Sequence, residues 1–181
     1  MKTKRSKIIL IFFIIFNFAF SITAYAGDDI ELAGNILQIV IPATAGSVAL
    51  YKGDKQGIIQ FSKSLLTTLG ATYALKYTVN EKRPNGGSHG FPSGHTSAAF
   101  SGASFLQKRY GWEYGIPAYV GASFVGWSRI ESNEHYWQDV LAGAAIGVIS
   151  TYIFTDAYKK GIVATPLIGK KTIGLQLSLA F

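Results

Sequence analysis

The segment Ser128–Asp139, SRIESNEHYWQD, contains a histidine and an aspartate four residues apart. If a helix starts near His135, both side chains lie on one face, and the Asp139 carboxylate can hold one imidazole nitrogen. That hydrogen bond fixes the tautomer and makes the other nitrogen a better nucleophile. A pair of metal ligands or a plain helix pair would show the same spacing, but a metal site needs further ligands of compatible type.

A second segment, KYTVNEKRP, carries cations where a helix should end. Pro84 disfavours helical conformation at Arg83, so the chain is expected to turn outward there. Lys76 and Arg83 could bind an anion at this turn. Solvated cations that complement the dipole at a helix end would give the same pattern.

A third segment, FPSGH, has the residues of a turn that opens a helix. Ser93 suits the N-cap position, and free backbone N–H groups at such a turn bind anions. Gly94 lets the backbone come close to a ligand. A capped turn with an exposed His95 is the alternative interpretation.

Five apolar segments are predicted to be the helices that position these residues. They are Leu32–Tyr51, Gly57–Tyr77, His95–Tyr110, Glu113–Arg129 and Trp137–Tyr158. Polar residues interrupt each one, so hydropathy alone does not separate a soluble bundle from a membrane bundle. We expect an all-α fold, an antiparallel bundle of five to six helices that is either soluble or membrane-embedded, followed by a short strand-like tail.

An antiparallel bundle brings the three segments to one end, because one segment ends a helix where the next segment starts another. The residues gathered there are Lys76, Arg83, Ser93, His95, Arg129, His135 and Asp139. Such a concentration of cations repels a metal ion and attracts an anion. Together with two histidines and a carboxylate, it describes a phosphate-transfer site.

These three segments resemble the three-part signature of the type-2 phosphatidic acid phosphatase family, which also includes bacterial acid phosphatases and vanadium haloperoxidases. The family pattern is Lys-x6-Arg-Pro, then Pro-Ser-Gly-His, then Ser-Arg-x5-His-x3-Asp. Every position is filled here, in order and at the right spacing. The resemblance covers the helical core and does not extend to either end of the chain.

The resemblance implies that His135 attacks phosphorus to form a phosphohistidine, while Asp139 orients it and balances its charge. His95 would protonate the leaving group and then activate water. The phosphoryl oxygens would be bound by Lys76, Arg83, Ser93, Gly94 and Arg129. Neither a metal nor another cofactor is expected.

Three nearby residues lie outside the signature. His89 could touch the substrate, although a plain loop residue is the favoured interpretation. Tyr136 and Trp137 follow the nucleophile and could shape the pocket or lie at a membrane interface.

The N-terminus has the layout of a secretory signal peptide. Four basic residues in MKTKRSK precede an apolar run of 13 and then SITAYA, which ends in a small-x-small pattern. We expect residues 1–26 to be a signal peptide, or otherwise a first transmembrane helix. Residues 27–160 would form the phosphatase domain and residues 161–181 the tail.

Charge and composition narrow the function further. The net charge of +7 includes four cations of the N-terminal segment, which leaves 13 basic and 10 acidic residues. An excess of basic residues this small does not indicate a nucleic-acid-binding protein. The absence of cysteine excludes disulfides and thiol chemistry. In the tail, Lys171–Phe181 alternates apolar residues with small or polar ones, which favours a strand.

The expected function is a bacterial envelope phosphatase that acts on a lipid phosphate or diphosphate, with its site on the periplasmic side. The basic loops KGDK, QKR and YKK would then face the cytoplasm. The alternatives are a soluble periplasmic acid phosphatase and a non-catalytic envelope protein that uses its tail for assembly. A haloperoxidase is disfavoured by the short chain and the apolar helices.

Overall fold

The computed structural model describes residues 26–158, 162–169 and 172–179, and side chains within residues 29–158. Its helices are α1 (Ala26–Tyr51), α2 (Lys55–Val79), α3 (Gly94–Tyr110), α4 (Trp112–Glu131) and α5 (Trp137–Phe154). The all-α bundle expected from the sequence is therefore confirmed. Apart from Ala26, the segment expected to be a signal peptide lies outside the described residues.

Two strands follow the helices, β1 (Ile162–Gly169) and β2 (Thr172–Leu179). They pair antiparallel, with Ile162 opposite Leu179 and Gly169 opposite Thr172. The role that the sequence suggests for this segment, in assembly, stays a prediction.

Helix α3 lies at the centre of the bundle and contacts the other four helices. Successive helices run in opposite directions, so that α1, α3 and α5 start at one end while α2 and α4 finish there. All their connections are short except the loop of residues 80–93 between α2 and α3. We call this end the site end. All three signature segments, KYTVNEKRP, FPSGH and SRIESNEHYWQD, lie at this end.

Small residues let the helices that start at the site end come close together. A Cβ atom on Gly143 or Gly147 of α5 would overlap the backbone carbonyl oxygens of Ser93 and Ser97 in α3. On the other side of α3, a Cβ on Gly102 would lie 2.8 Å from the Cα atom of Pro42 in α1. Backbone contact of this kind is how helices pack when small residues face one another.

The core between α1, α2, α3 and α4 is built mainly from alanines and a few large side chains. The Phe61 and Phe105 rings pack with centroids 4.9 Å apart. Around them lie Leu37, Ile41, Ala45, Ala99, Ala103, Leu106, Ala118, Ala122 and Val125. Between α2, α3 and α5 the interior is polar instead, with buried hydroxyls such as those of Thr72 and Ser97 hydrogen-bonded at 2.9 Å.

Two of the described helices are long and apolar enough to cross a membrane, over Asp29–Tyr51 and Trp137–Phe154. Their outward faces carry exposed apolar residues, including Ile39 (66% exposed) and Ile153 (66% exposed). Other helices expose Leu66, Ile116 and Val120. These faces fit membrane association.

The last helix ends four residues earlier than the sequence predicts, at Phe154 rather than Tyr158. The reason is a set of polar contacts that hold the following residues in extended form. Arg109 donates from Nη1 to the Asp156 carbonyl at 3.0 Å, and its own carbonyl accepts the Tyr158 backbone N–H at 2.8 Å. Gln60 donates from Nε2 to the Asp156 carboxylate at 3.0 Å.

A buried ion pair joins the helices at the end opposite the site. Arg109 donates from Nη2 and Nε to the two Asp54 oxygens, at 2.6 and 2.7 Å. The same carboxylate caps α2 through the Gly57 backbone N–H and accepts from the Tyr110 hydroxyl. The prediction that Arg109 contributes to a basic cytoplasmic loop is wrong, because Arg109 lies in α3 and its charge is paired with Asp54 inside the protein.

We predict that Asp54→Ala destabilises the fold by about 3–5 kcal/mol, because it leaves the Arg109 charge buried without its partner. Thermal and denaturant unfolding of the purified protein in detergent would measure the loss. Glu113→Ala, which removes an exposed carboxylate near the same end, is the control. Equal stability of the two variants would contradict the structural role of the ion pair.

Candidate active site

The proposed nucleophile and its aspartate lie buried at the start of α5. The His135 side chain is 2% exposed and that of Asp139 is 0% exposed. His135 donates from Nδ1 to Asp139 Oδ2 over a long 3.4 Å. The two are not on one helix, as the spacing had suggested, because α5 starts only at Trp137. His135 precedes the helix, and Asp139 lies in its first turn.

Further hydrogen bonds fix both partners of this pair. Asp139 Oδ2 also accepts the Tyr136 backbone N–H at 3.0 Å, which caps the helix. The His135 backbone N–H donates to the Arg129 carbonyl at 3.1 Å. Since an ionised carboxylate can only accept, Nδ1 carries the proton, and Nε2 of His135 keeps the lone pair that a nucleophile needs.

The electrostatic surroundings keep His135 neutral. Burial, and after it the positive charges of Lys76 and Arg83, lower the pKa of His135 to about 3. A neutral imidazole at physiological pH is the form that can attack phosphorus.

The turn that opens α3 lies directly against this pair. Ser93 is fully buried, and its backbone N–H donates to the Asp139 carbonyl at 2.9 Å. Its Oγ accepts from the Thr96 hydroxyl and backbone N–H, as expected of an N-cap. A Cβ on Gly94 would make only ordinary contacts, at 3.6 Å from Lys76 Cε, so packing within the protein does not explain the glycine.

His95, in the first turn of α3, contacts a residue of α1. Its Nε2 lies 2.8 Å from Oδ1 of Asn35. Arg129 donates from Nη1 to the same oxygen at 2.9 Å. Burial, and then the charges of Arg129, Arg83 and Lys76, lower the pKa of His95 to about 4.

Arg129 is almost fully buried, with 1% of its surface exposed. Besides Asn35, its guanidinium donates from Nη2 to the Glu31 carbonyl at 2.7 Å and from Nε to the Ser128 hydroxyl at 3.2 Å. This signature cation is therefore held between α4 and the first turns of α1.

Lys76 lies in the last turn of α2, next to the loop that connects to α3. Its Nζ donates to the His89 carbonyl at 2.7 Å. Burial, followed by the charge of Arg83, lowers the pKa of Lys76 from its usual value. The His89 ring packs edge-on against Tyr77 and lies 2.9 Å from the Ser88 hydroxyl, so its backbone rather than its ring touches the signature residues.

Arg83 forms an ion pair with Glu134, the residue directly before His135. Asn85 donates to the other Glu134 oxygen at 2.9 Å, and its backbone N–H donates to the Asn133 carbonyl at 3.2 Å. These contacts tie the loop after α2 to the loop before α5. The Glu134 carboxylate therefore binds Arg83, a cation to which the family resemblance assigns phosphate binding.

The structure thus brings the eight residues predicted from the sequence to one end of the bundle, in contact with one another or with shared neighbours. Sequence reasoning missed Asn35 and Glu134. A lone asparagine within the apolar stretch LAGNILQIV is a signal that could have been noticed, because amides are costly in such a segment.

Tyr136 and Trp137 are exposed, at 42% and 64%, on the surface beside the nucleophile.

Within the described part of the chain, no group of three or more His, Asp or Glu side chains is arranged to hold a metal ion. What the arrangement supplies is an uncharged imidazole held by a carboxylate, a second imidazole, and three cations around a helix start. Positive groups and backbone N–H groups of this kind stabilise a phosphoryl group in transit.

Comparison with known proteins agrees with this chemistry. The chain is 31% identical over 142 residues to the lipid A 4'-phosphatase of Helicobacter pylori, a match that spans 72% of this chain and 71% of the relative. It is 42% identical over 100 residues to the lipid A 1-phosphatase of Porphyromonas gingivalis, which covers 48% of this chain but only 22% of that larger protein.

The fold also has a counterpart among solved structures. The crystal structure of LpxE from Aquifex aeolicus superposes with a TM-score of 0.54 at 20% identity, over 77% of this chain and 91% of that one. The sequence model of the PAP2 superfamily matches residues 57–162. With a family match over more than half its length and all three signature segments meeting in one site, the chain belongs to the PAP2 superfamily of phosphatases.

Proposed function

We propose that this protein is a bacterial envelope phosphatase that removes phosphate from a lipid phosphate or diphosphate through a phosphohistidine on His135. The observation that carries the proposal is the neutral His135, oriented by Asp139 at a site whose cations act on it electrostatically. The family to which the chain belongs hydrolyses phosphate esters, which sets the reaction type.

In the first step, the lone pair on His135 Nε2 attacks phosphorus, and the bond from phosphorus to the leaving oxygen breaks. The leaving oxygen takes a proton from His95. Lys76, Arg83 and Arg129, together with Ser93 and the Gly94 backbone, stabilise the charge on the phosphoryl oxygens. Asp139 stabilises the positive charge that develops on the imidazole of His135.

In the second step, a water molecule attacks the phosphohistidine. His95, now neutral, accepts a proton from that water, and the bond between phosphorus and His135 Nε2 breaks. Inorganic phosphate leaves and the site returns to its starting state.

A lipid substrate is favoured by two observations. Relatives of the chain include proteins named lipid A phosphatase and lipid phosphate phosphatase. In addition, the exposed side chains around the helices are largely apolar, which suits an enzyme whose substrate lies in a membrane. Candidate substrates are phosphatidic acid, phosphatidylglycerol phosphate, undecaprenyl diphosphate and lipid A.

We propose that the site faces the periplasm. At the opposite end, Lys52 lies over the rings of Tyr110 and Tyr114, and Lys108 lies over the ring of Tyr152. Lysines next to aromatic rings suit a cytoplasmic membrane interface. The signal-like N-terminus supports the same orientation.

The test is phosphate release by the purified protein from a panel of these lipids, with p-nitrophenyl phosphate as a soluble ester. We predict that His135→Ala abolishes release, whereas His89→Ala retains it, because the His89 ring contacts only Tyr77 and Ser88 among its described partners. Full activity of His135→Ala would overturn the nucleophile assignment.

The same assay separates the alternatives. A soluble acid phosphatase would be released by osmotic shock, would need no detergent and would prefer p-nitrophenyl phosphate. A non-catalytic envelope protein would release phosphate from none of the panel.

We also predict that turnover falls as the pH rises through the pKa of His95 in the substrate complex. In the free protein this pKa is about 4, against an ordinary value of 6.5, because of burial and of the nearby cations. A bound phosphate adds negative charge, which offsets the cations and raises the pKa towards the ordinary value. His95 is then protonated, and able to act as an acid, only on the acidic side.

The measurement is kcat against pH from 4 to 9 at saturating substrate, with unfolding followed in parallel so that loss of fold is not read as titration. His135, with a pKa of about 3 in the free protein, stays neutral over most of this range. A rate that keeps rising up to pH 9 would contradict the role of His95 as an acid.

A further inference from the structure

Asn35 connects two signature residues but belongs to neither the signature nor the region that matches the family. It lies on α1, whereas the family match covers residues 57–162. Its Oδ1 is 2.9 Å from Arg129 Nη1 and 2.8 Å from His95 Nε2. One amide oxygen therefore joins a proposed phosphate-binding cation to the proposed acid.

The identity of the atoms follows from the arginine. A guanidinium has only donors, so the Asn35 atom that faces Arg129 must be the oxygen. An amide oxygen only accepts, so the His95 nitrogen that faces it, Nε2, must carry a hydrogen. In a neutral imidazole the lone pair is then on Nδ1.

We propose that Asn35 is a positioning residue that holds His95 as the Nε2–H form, so that Nδ1 is the atom that exchanges protons with the substrate. The inference rests on the proposed function. In the first step, Nδ1–H of protonated His95 gives its proton to the leaving oxygen. In the second step, the Nδ1 lone pair takes a proton from water, while the other proton stays on Nε2, hydrogen-bonded to Asn35 Oδ1, throughout.

The backbone of α1 supports this placement independently. Arg129 Nη2 donates to the Glu31 carbonyl, one turn before Asn35. A Cβ on Gly34 would overlap the Ser128 hydroxyl and the Arg129 guanidinium. A glycine at this position lets α1 lie directly against α4, which brings the Asn35 amide within reach of both partners.

The charges around His95 explain why the partner is an uncharged amide. Positive groups act on it from α4, from the loop after α2 and from α2 itself, through Arg129, Arg83 and Lys76. His135 lies on the loop before α5, and the charge of His95 is among the causes that lower the pKa of His135. An aspartate in place of Asn35 would stabilise the imidazolium, and the acid would then hold its proton more tightly.

Three variants test the inference: Asn35→Ala, Asn35→Asp and, as a matched control, Gln38→Ala. Gln38 is a half-buried amide on α1 that is not hydrogen-bonded to Arg129 or His95 within the described part of the chain. Kinetics are measured with the lipid of the panel that the wild-type protein hydrolyses fastest. The near-isosteric Asn35→Asp keeps the test valid if Asn35→Ala does not fold.

We expect Asn35→Ala to lower kcat by about tenfold to a hundredfold, a part of the gain usual for acid–base catalysis, with a smaller change in KM. Asn35→Asp should move the alkaline limb of the kcat profile to higher pH by about one unit or more. Gln38→Ala should match the wild type. Unchanged kcat in Asn35→Ala, or an unshifted limb in Asn35→Asp, would overturn the inference.

A second measurement does not depend on turnover. The chain has only three histidines, so ¹⁵N-histidine NMR spectra of the protein in detergent micelles can be assigned with His89→Asn and His135→Asn variants. We expect neutral His95 to be protonated at Nε2 in the wild type and to show mixed tautomers in Asn35→Ala. Protonation at Nδ1 in the wild type would overturn the inference, whereas a wild-type protein that releases no phosphate would overturn the proposed function.

Discussion

The site depends on how closely α3 and α5 approach each other at the ends where they start. Gly143 and Gly147 bring the two backbones into contact, and the Ser93 N–H donates to the Asp139 carbonyl at 2.9 Å. This contact places the helix start that carries His95 directly against the pair formed by His135 and Asp139. A larger side chain at Gly143 would overlap the Ser93 carbonyl and separate the two halves of the site. The two glycines thus link helix packing directly to the proposed chemistry.

A second feature follows from gathering one buried cation, Arg129, and two half-buried ones, Lys76 and Arg83, at one end. In this structure each cation is bound by an oxygen of the protein itself: Lys76 by the His89 carbonyl, Arg83 by Glu134, and Arg129 by the Glu31 carbonyl and Asn35. These oxygens satisfy charges that would otherwise be costly to bury. A phosphoryl group that enters the site competes with them, and most directly with Glu134, whose charge has the same sign.

The sequence predicts much of this arrangement because the signature residues lie at helix ends, where capping and proline rules apply. Ser93 and Pro84 mark such ends, and the antiparallel order of helices then brings the three segments together. Contacts that come from tertiary structure follow no such rule. Asn35 lies 60 residues from His95 and 94 from Arg129, and no local pattern relates them. Likewise, the early end of α5 reflects Arg109, whose charge the sequence alone assigns to a solvent-facing loop.

In the proposed mechanism, His135 carries the phosphoryl group during turnover. The most direct measurement is rapid quenching at alkaline pH of the enzyme with ³²P-labelled lipid phosphate, followed by mass spectrometry of the labelled peptide. We predict a phosphoryl group on His135 that is stable to base and labile to acid, that forms in the wild type, and that is absent from His135→Ala. A phosphoryl group on another residue, or steady turnover with no labelled protein at any time, would contradict it.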